Sequence, residues 1–281
     1  MSDLARSWLD FSALTTLDHE HRRLMDEHHQ RVDFARSTAS SLEPALRSAL
    51  ADLWRDRAQA EHRSISIFAT YTLDLLAAGA PASVLSLACR AQLDEVRHAE
   101  LFTQLARCYS GRDETPSPGI APVPDDASLS LAELAAVEAL HLCVGAESFS
   151  TALLHALHDS ATDPAVRASL AVVLSDELHH ARMGWAYLAS VLREDPALRE
   201  TVQRELVPTF DGLAHGLFGP VDEAPSPEPF SAHEIEIARG HGYMPLAEQR
   251  ALFRSLVDEV WLRALPSLGL DPSQLSGRYF A

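Results

Sequence analysis

The chain has 281 residues, enough for one large domain with a substantial core, and carries a formal charge of −17 with a pI near 5.2. That charge argues against a nucleic-acid partner, because phosphate binding is driven by basic side chains displacing counterions. Leucine and alanine dominate, glycine is sparse, and the alternation typical of strands is absent, so the composition predicts an all-α fold.

Met1 to Glu20 carries Asp3, Arg6, Asp10, Asp18 and Glu20, with no apolar core of a signal peptide, and no uncharged run in the chain is long enough to span a bilayer. The expectation is a cytoplasmic protein with no membrane partner. Cys89, Cys108 and Cys143 show no metal-finger spacing and lie in apolar helical stretches, so they read as buried thiols in a reducing compartment. A polar helical segment is expected around Leu17 to Arg36. Its histidines, His19, His21, His28 and His29, alternate with charged residues as on a solvated face. Leu42 to Ala78 and Ala82 to Ser110 have helical apolar spacing, with Gly79-Ala80-Pro81 as stop and restart. Thr115 to Asp126 is rich in proline and breaks the pattern. Leu129 to His158 and Pro164 to Leu192 then repeat the hairpin plan, with Asp163 as cap and Pro164 in the first turn. Helices are expected over Asp195 to His215 and, past a second break at Gly219 to Pro229, near Leu246 to Leu265. Two hairpins joined by a long crossover match a ferritin-like four-helix bundle over 42–192. Residues 1–41 and 193–281 then act as N- and C-terminal helical extensions of a single domain, 1–281.

The informative feature is a repeat: Asp94-Glu95-Val96-Arg97-His98 on the second bundle helix and Asp176-Glu177-Leu178-His179-His180 on the fourth. Residues three apart on a helix project together, so each Glu-x-x-His pair can ligate one metal. A bundle site of the di-metal carboxylate kind needs one further Glu from each remaining helix. Glu61 and Glu147 supply them. Glu61 lies 19 residues before the turn at Ala80, and Glu95 and His98 lie 15 and 18 after it. At ~1.5 Å per residue these depths are roughly 28 Å against 22 to 27 Å. Glu147 stands 15 residues before the turn at Thr162, and Glu177 and His180 stand 15 and 18 after it. Four buried carboxylates need counter-charge, which two divalent ions supply. Mixed oxygen and imidazole ligation suits iron or manganese, and the lack of cysteine ligands argues against thiolate zinc or iron–sulfur sites. Taken singly, each Glu-x-x-His also fits an exposed helix face.

Over Leu42 to Leu192 the sequence resembles the ferritin-like di-iron carboxylate superfamily, and Asp94-Glu95-Val96-Arg97-His98 is similar to the Asp-Glu-x-Arg-His motif of bacterial multicomponent monooxygenases. The resemblance implies that Asp94 orients His180 and Asp176 orients His98. His179 departs from the motif, standing where the family has arginine. Thr151, four residues after Glu147, matches a threonine that lines the family's oxygen pocket, though an ordinary core threonine fits equally. His62 and His179 neighbour proposed ligands in sequence but diverge by about 100° on the helix. His155, on nearly the stripe of Glu147, reads as a pocket or core histidine.

The expected function is that of a non-haem di-iron oxygenase or oxidase acting on O₂ and a small organic molecule. Glu61, Glu95 and His98 would hold one iron and Glu147, Glu177 and His180 the other, with one carboxylate from each hairpin bridging. No flavin, haem or iron–sulfur motif is visible, so electrons would come from a separate reductase or ferredoxin. A ferroxidase or iron-storage protein, a dimanganese catalase with two Mn ions, and a metal-free helical scaffold are the alternatives. The oligomeric state stays open, a homodimer included.

Overall fold

Helix α1 (Pro44–Ala77) begins with a proline in its first turn and ends where Gly79 turns left-handed at φ 73°. There the Gly79 amide donates to the Leu76 carbonyl at 3.1 Å and the Ala80 amide to the Leu75 carbonyl at 2.9 Å. These two bonds satisfy the last carbonyls of α1 and reverse the chain into α2 (Ala82–Ser110). The Gly79-Ala80-Pro81 signal thus builds the expected hairpin. This computed structural model describes residues 32–121, 128–220 and 228–280. By internal contacts the chain divides into Met1–Asp33 and Phe34–Ala281, and every element below belongs to the second unit. The helix expected at Leu17 to Arg36 lies outside the described residues except at its end, where Phe34–Arg36 forms a 3₁₀ turn.

The described part of the crossover is pinned along α1. The Ser117 amide donates to the Gln59 side chain at 2.7 Å, the Ala121 amide donates to Ser66 Oγ at 2.8 Å, and Arg55 grips Glu114 through two nitrogens. Helix α3 (Leu131–Ala139) starts at a Ser130–Glu133 capping box. It then passes through a π-helical stretch, Leu140–Glu147, into α4 (Ser148–Ser160). Asp163 caps α5 (Pro164–Glu194), accepting the Ala165 and Val166 amides at 2.9 Å, with Pro164 in the first turn as expected. Helix α1 packs on α2 and α3, α2 on α5, and α5 on the π-helical stretch and α4. The four long rods therefore close a ring around a shared interior.

Helix α6 (Pro196–Phe218) starts from the Asp195 cap and runs three residues past the expected end. The charged segment Ala232–Gly240, read as no element in the sequence, is helix α7, opened by a Ser231–Glu234 capping box. The helix expected near Leu246 to Leu265 is α8 (Leu246–Leu256), a second π-helical stretch (Val257–Trp261) and the short α9 (Leu262–Ala264). Phe210, Phe218, Phe253, Trp261 and Tyr279 pack edge-to-face beneath these elements and bury the outer side of the π-helical stretch at Leu140–Glu147. Among the described residues there is no strand, and no helix is long and apolar enough to cross a membrane. The cysteine reading needs correction: only Cys143 is buried, whereas Cys108 is half-buried and Cys89 exposed, because α2 turns Cys89 to its outer face.

Candidate metal centre

All six predicted ligands meet. Glu61 comes from α1, Glu95 and His98 from α2, Glu147 from the last residue of the π-helical stretch, and Glu177 and His180 from α5. They form two groups, Glu61–Glu95–His98–Glu177 and Glu95–Glu147–Glu177–His180, each with ligand atoms within 4.8 Å of one another. Glu95 and Glu177 belong to both. His98 Nδ1 stands 3.8, 3.7 and 3.3 Å from oxygens of Glu61, Glu95 and Glu177. His180 Nδ1 stands 3.3, 3.8 and 3.8 Å from oxygens of Glu95, Glu147 and Glu177. Each shared carboxylate places one oxygen near either histidine, so Glu95 and Glu177, one from each hairpin, are the residues common to both groups.

Behind each imidazole stands an aspartate from the opposite helix. His98 Nε2 meets Asp176 Oδ2 at 3.1 Å, and His180 Nε2 meets Asp94 Oδ2 at 3.5 Å. A carboxylate on Nε2 fixes the tautomer that leaves Nδ1 free to accept a metal. The crossed pairing that the resemblance implied is a hydrogen bond for His98 and Asp176, and for His180 and Asp94 a longer approach that makes no hydrogen bond. Arg97, which the sequence marks only as part of the motif, joins the two systems: buried itself, it pairs with Asp176 and lies 3.8 Å from Asp94. Burial draws its guanidinium down to about 10 despite the nearby Asp94. His179, at the corresponding place on α5, is exposed and donates to the Ser175 carbonyl at 2.7 Å, so Arg97 alone stands between the two aspartates, while Arg90 also donates to Asp94 at 3.4 Å.

Burial and close like charges set the protonation of the cluster. Burial, reinforced by Glu95, pushes Glu61 up to about 7, and burial with Glu147 beside it pushes Glu177 well above the carboxylate range. Burial alone would also raise Glu95, but the hydrogen-bonding histidines His180 and His98 outweigh it and hold it at about 2. Burial opposes charging His98, yet Glu61 and Glu95 lift it to about 9. Both Glu95 oxygens, Glu177 Oε2 and the Nδ1 atoms of His98 and His180 are buried without a hydrogen-bond partner. Unpaired buried polar atoms cost free energy, and here all of them point into one space. Two divalent ions ligated by four carboxylates and two imidazoles satisfy every one of these atoms and neutralise the charge, so the residues present fit a di-metal group.

The sequence gives no sign of the π-helical stretch that delivers Glu147. Its irregular backbone is held from outside: Trp261 Nε1 donates to the buried Val144 carbonyl at 2.9 Å, and Gly184 of α5 lies directly against Cys143. Phe68 of α1 packs its edge on the His180 ring, centroids 5.0 Å apart. Thr151 is half-buried, its hydroxyl donating to the Glu147 carbonyl at 2.7 Å. His62 and His179 stay out of the cluster, as their divergence on the helix predicts. His155 is neither a pocket nor a core residue: it is exposed and pairs with Asp159 at 3.4 Å, because the stripe through Glu147 rotates toward solvent along α4. His19, His21, His28 and His29 lie outside the described residues.

A cavity of about 350 Å³ opens between α1 and the α3–π segment, with Tyr71, Glu138, His141 and Ala146 in its walls. Ala146 immediately precedes the cluster residue Glu147. Thr151 is not among the lining residues. Compared with known proteins, the chain matches no family model, no curated protein and no solved structure. Fold and site together define an all-helical protein with a buried carboxylate–imidazole cluster that could hold metal.

Proposed function

We propose that this chain is a ferritin-like non-haem di-iron protein that activates O₂ to oxidise or hydroxylate a small organic molecule. The observation that carries the reading is the pair of four-residue groups sharing Glu95 and Glu177, each closed by a histidine with an aspartate behind it. The two helical hairpins joined by the crossover support the ferritin-like assignment. Glu61, Glu95, His98 and Glu177 would hold one ion and Glu95, Glu147, Glu177 and His180 the other. When bound, a pair of irons supplies the redox equivalents for reducing O₂. The chain's own residues do the rest. Asp94, Asp176 and Arg97 fix the imidazoles, Phe68 shields His180 from water, and the cavity whose wall includes Ala146, the residue before Glu147, offers a place for substrate. Thr151 is assigned to the oxygen side of the site on the resemblance alone, since its hydroxyl donates to the Glu147 carbonyl one helical turn before it. Electrons come from an external reductase or ferredoxin.

The experiment is anaerobic loading of the full chain with ferrous iron, followed by O₂ uptake in the presence of a chemical reductant and candidate substrates. Substrate-dependent O₂ consumption with an oxygenated or dehydrogenated product supports the proposal. Iron oxidation that stops after one stoichiometric turnover whatever organic molecule is added points to a ferroxidase, and rapid O₂ evolution from added peroxide points to a catalase. Either result overturns it.

A further inference from the structure

The cavity between α1 and the α3–π segment carries polar groups that the metal centre does not use. Glu138 reaches into it from α3, and its carboxyl meets that of Asp74 on α1. Asp74 Oδ2 and Glu138 Oε2 are both buried without a hydrogen-bond partner. Two carboxyl groups facing each other can share one proton, but the pair then still holds one negative charge; neither arginine nor lysine lines the cavity, and burial disfavours the charged form of His141, the base in its wall. The Tyr71 hydroxyl is a second, independent sign. Tyr71 is 1% exposed and lines the cavity, and although the Cys143 thiol is nearby, its hydroxyl makes no hydrogen bond of acceptable geometry. A buried tyrosine hydroxyl normally finds a partner, so one left unsatisfied on a residue of the cavity wall is a place for a ligand atom. The rest of the wall is mainly apolar, including Ile67, Leu142 and Ala146.

We propose that this cavity binds an amine-bearing apolar molecule, its ammonium group held by Glu138 and Asp74 and hydrogen-bonded near Tyr71, its apolar body running toward Ala146. An ammonium brings three donors to acid oxygens that have none, and its charge balances the pair. A metal ion fits less well, because it needs about six oxygen ligands and the wall offers few besides the acid pair, the hydroxyls of Ser66, Thr70 and Tyr71. The volume of about 350 Å³ suits a small organic ligand. Glu138 and Glu147 are nine residues apart, roughly 13 Å at ~1.5 Å per residue and somewhat less through a π-helical stretch. An amine anchored at Glu138 therefore presents the far end of its carbon skeleton, not its nitrogen, to the metal cluster. Calling the ligand a substrate rests on the oxygenase reading above; the amine site itself does not.

The test is calorimetric titration of the full chain, zinc-loaded so that no turnover occurs and again metal-free, with phenylbutylamine, phenylbutanol and phenylbutyrate. The amine binds at least tenfold more tightly than the alcohol, and the acid most weakly, as expected for a charge-assisted hydrogen bond in a desolvated site. Glu138→Gln, similar in shape, removes the amine's advantage while alcohol binding persists; Asp74→Asn acts in the same direction and Tyr71→Phe weakens the amine severalfold. Thermal melts establish that each variant is folded. Equal binding of amine and alcohol, no binding of the amine, or an unchanged amine affinity in folded Glu138→Gln overturns the proposal. Amine selectivity in a protein that binds no iron would leave this site standing and remove only the oxygenase reading.

Discussion

Replacing Gly184 with alanine tests how tightly the metal centre depends on helix packing. Gly184 lies on α5, one turn beyond His180, and faces the π-helical stretch that ends at Glu147. A Cβ there would stand 2.1 Å from Cys143 Cβ, 3.0 Å from its Sγ and 3.3 Å from the Ala139 carbonyl oxygen. Carbon atoms rest at ~3.5–4.0 Å, so the two backbones must part by about 1.5 Å, because the nearest contact is a Cβ that cannot move without its backbone. Overpacking of this kind costs about 3 kcal/mol or more. In a domain of this size that lowers the melting temperature by roughly 6–12 °C. The same movement separates Glu177 and His180 from Glu147, so affinity for Mn²⁺ or Fe²⁺ should fall at least tenfold. Scanning calorimetry with and without metal reads both effects. A variant melting within about 1 °C of wild type with unchanged metal affinity would refute the packing on which the site geometry rests.

Other perturbations probe separate parts of the account. Trp261→Phe keeps the ring but leaves the buried Val144 carbonyl without its donor, a loss of about 1–3 kcal/mol in urea unfolding, with faster amide exchange along Leu140–Glu147. Asp176→Asn removes the carboxylate that buried Arg97 and His98 share, leaving Arg97 with Asp94 at 3.8 Å, and should cost about 3 kcal/mol; a change under about 1 kcal/mol would show that the Asp176–Arg97 pair is not formed. Glu138 is pushed up to about 8 by burial and then by Asp74, well above its unfolded value, so the folded protein holds the extra proton. Its contribution to stability is therefore present at low pH and lost as pH rises from about 4.5 toward 8. In zinc-loaded protein, where the cluster carboxylates are already neutralised, Glu138→Gln should flatten the fall in melting temperature between pH 5 and 8. An identical slope in the two proteins would contradict that assignment.

What could be read in the sequence is what one-dimensional spacing carries. The two Asp-Glu-x-x-His runs, the turn at Gly79-Ala80-Pro81 and the Asp163-Pro164 start are local patterns, and each forms as its spacing requires. Counting residues from the turns also brought Glu61 and Glu147 to the level of the pairs. The π-helical stretch was invisible because α and π segments share the same apolar residues and differ only in which carbonyl each amide reaches. Here the choice is settled by distant partners, Trp261 and Gly184. Arg97 could be seen as part of a motif but not as the link between two aspartates 82 residues apart. His155 failed for a geometric reason: each step of four residues drifts by about 40°, which carries Glu147, Thr151 and His155 from buried to half-buried to exposed. Helix α7 was overlooked because its face is polar, although the Ser231–Glu234 capping box was there to be read.

The most direct measurement is anomalous diffraction from crystals of the full chain loaded with Mn²⁺ or, without oxygen, with Fe²⁺. The account predicts two peaks about 3.5–4 Å apart, both touching Glu95 and Glu177, with His98 Nδ1 on one and His180 Nδ1 on the other. A single peak, or metal bound only away from these six side chains, would contradict it.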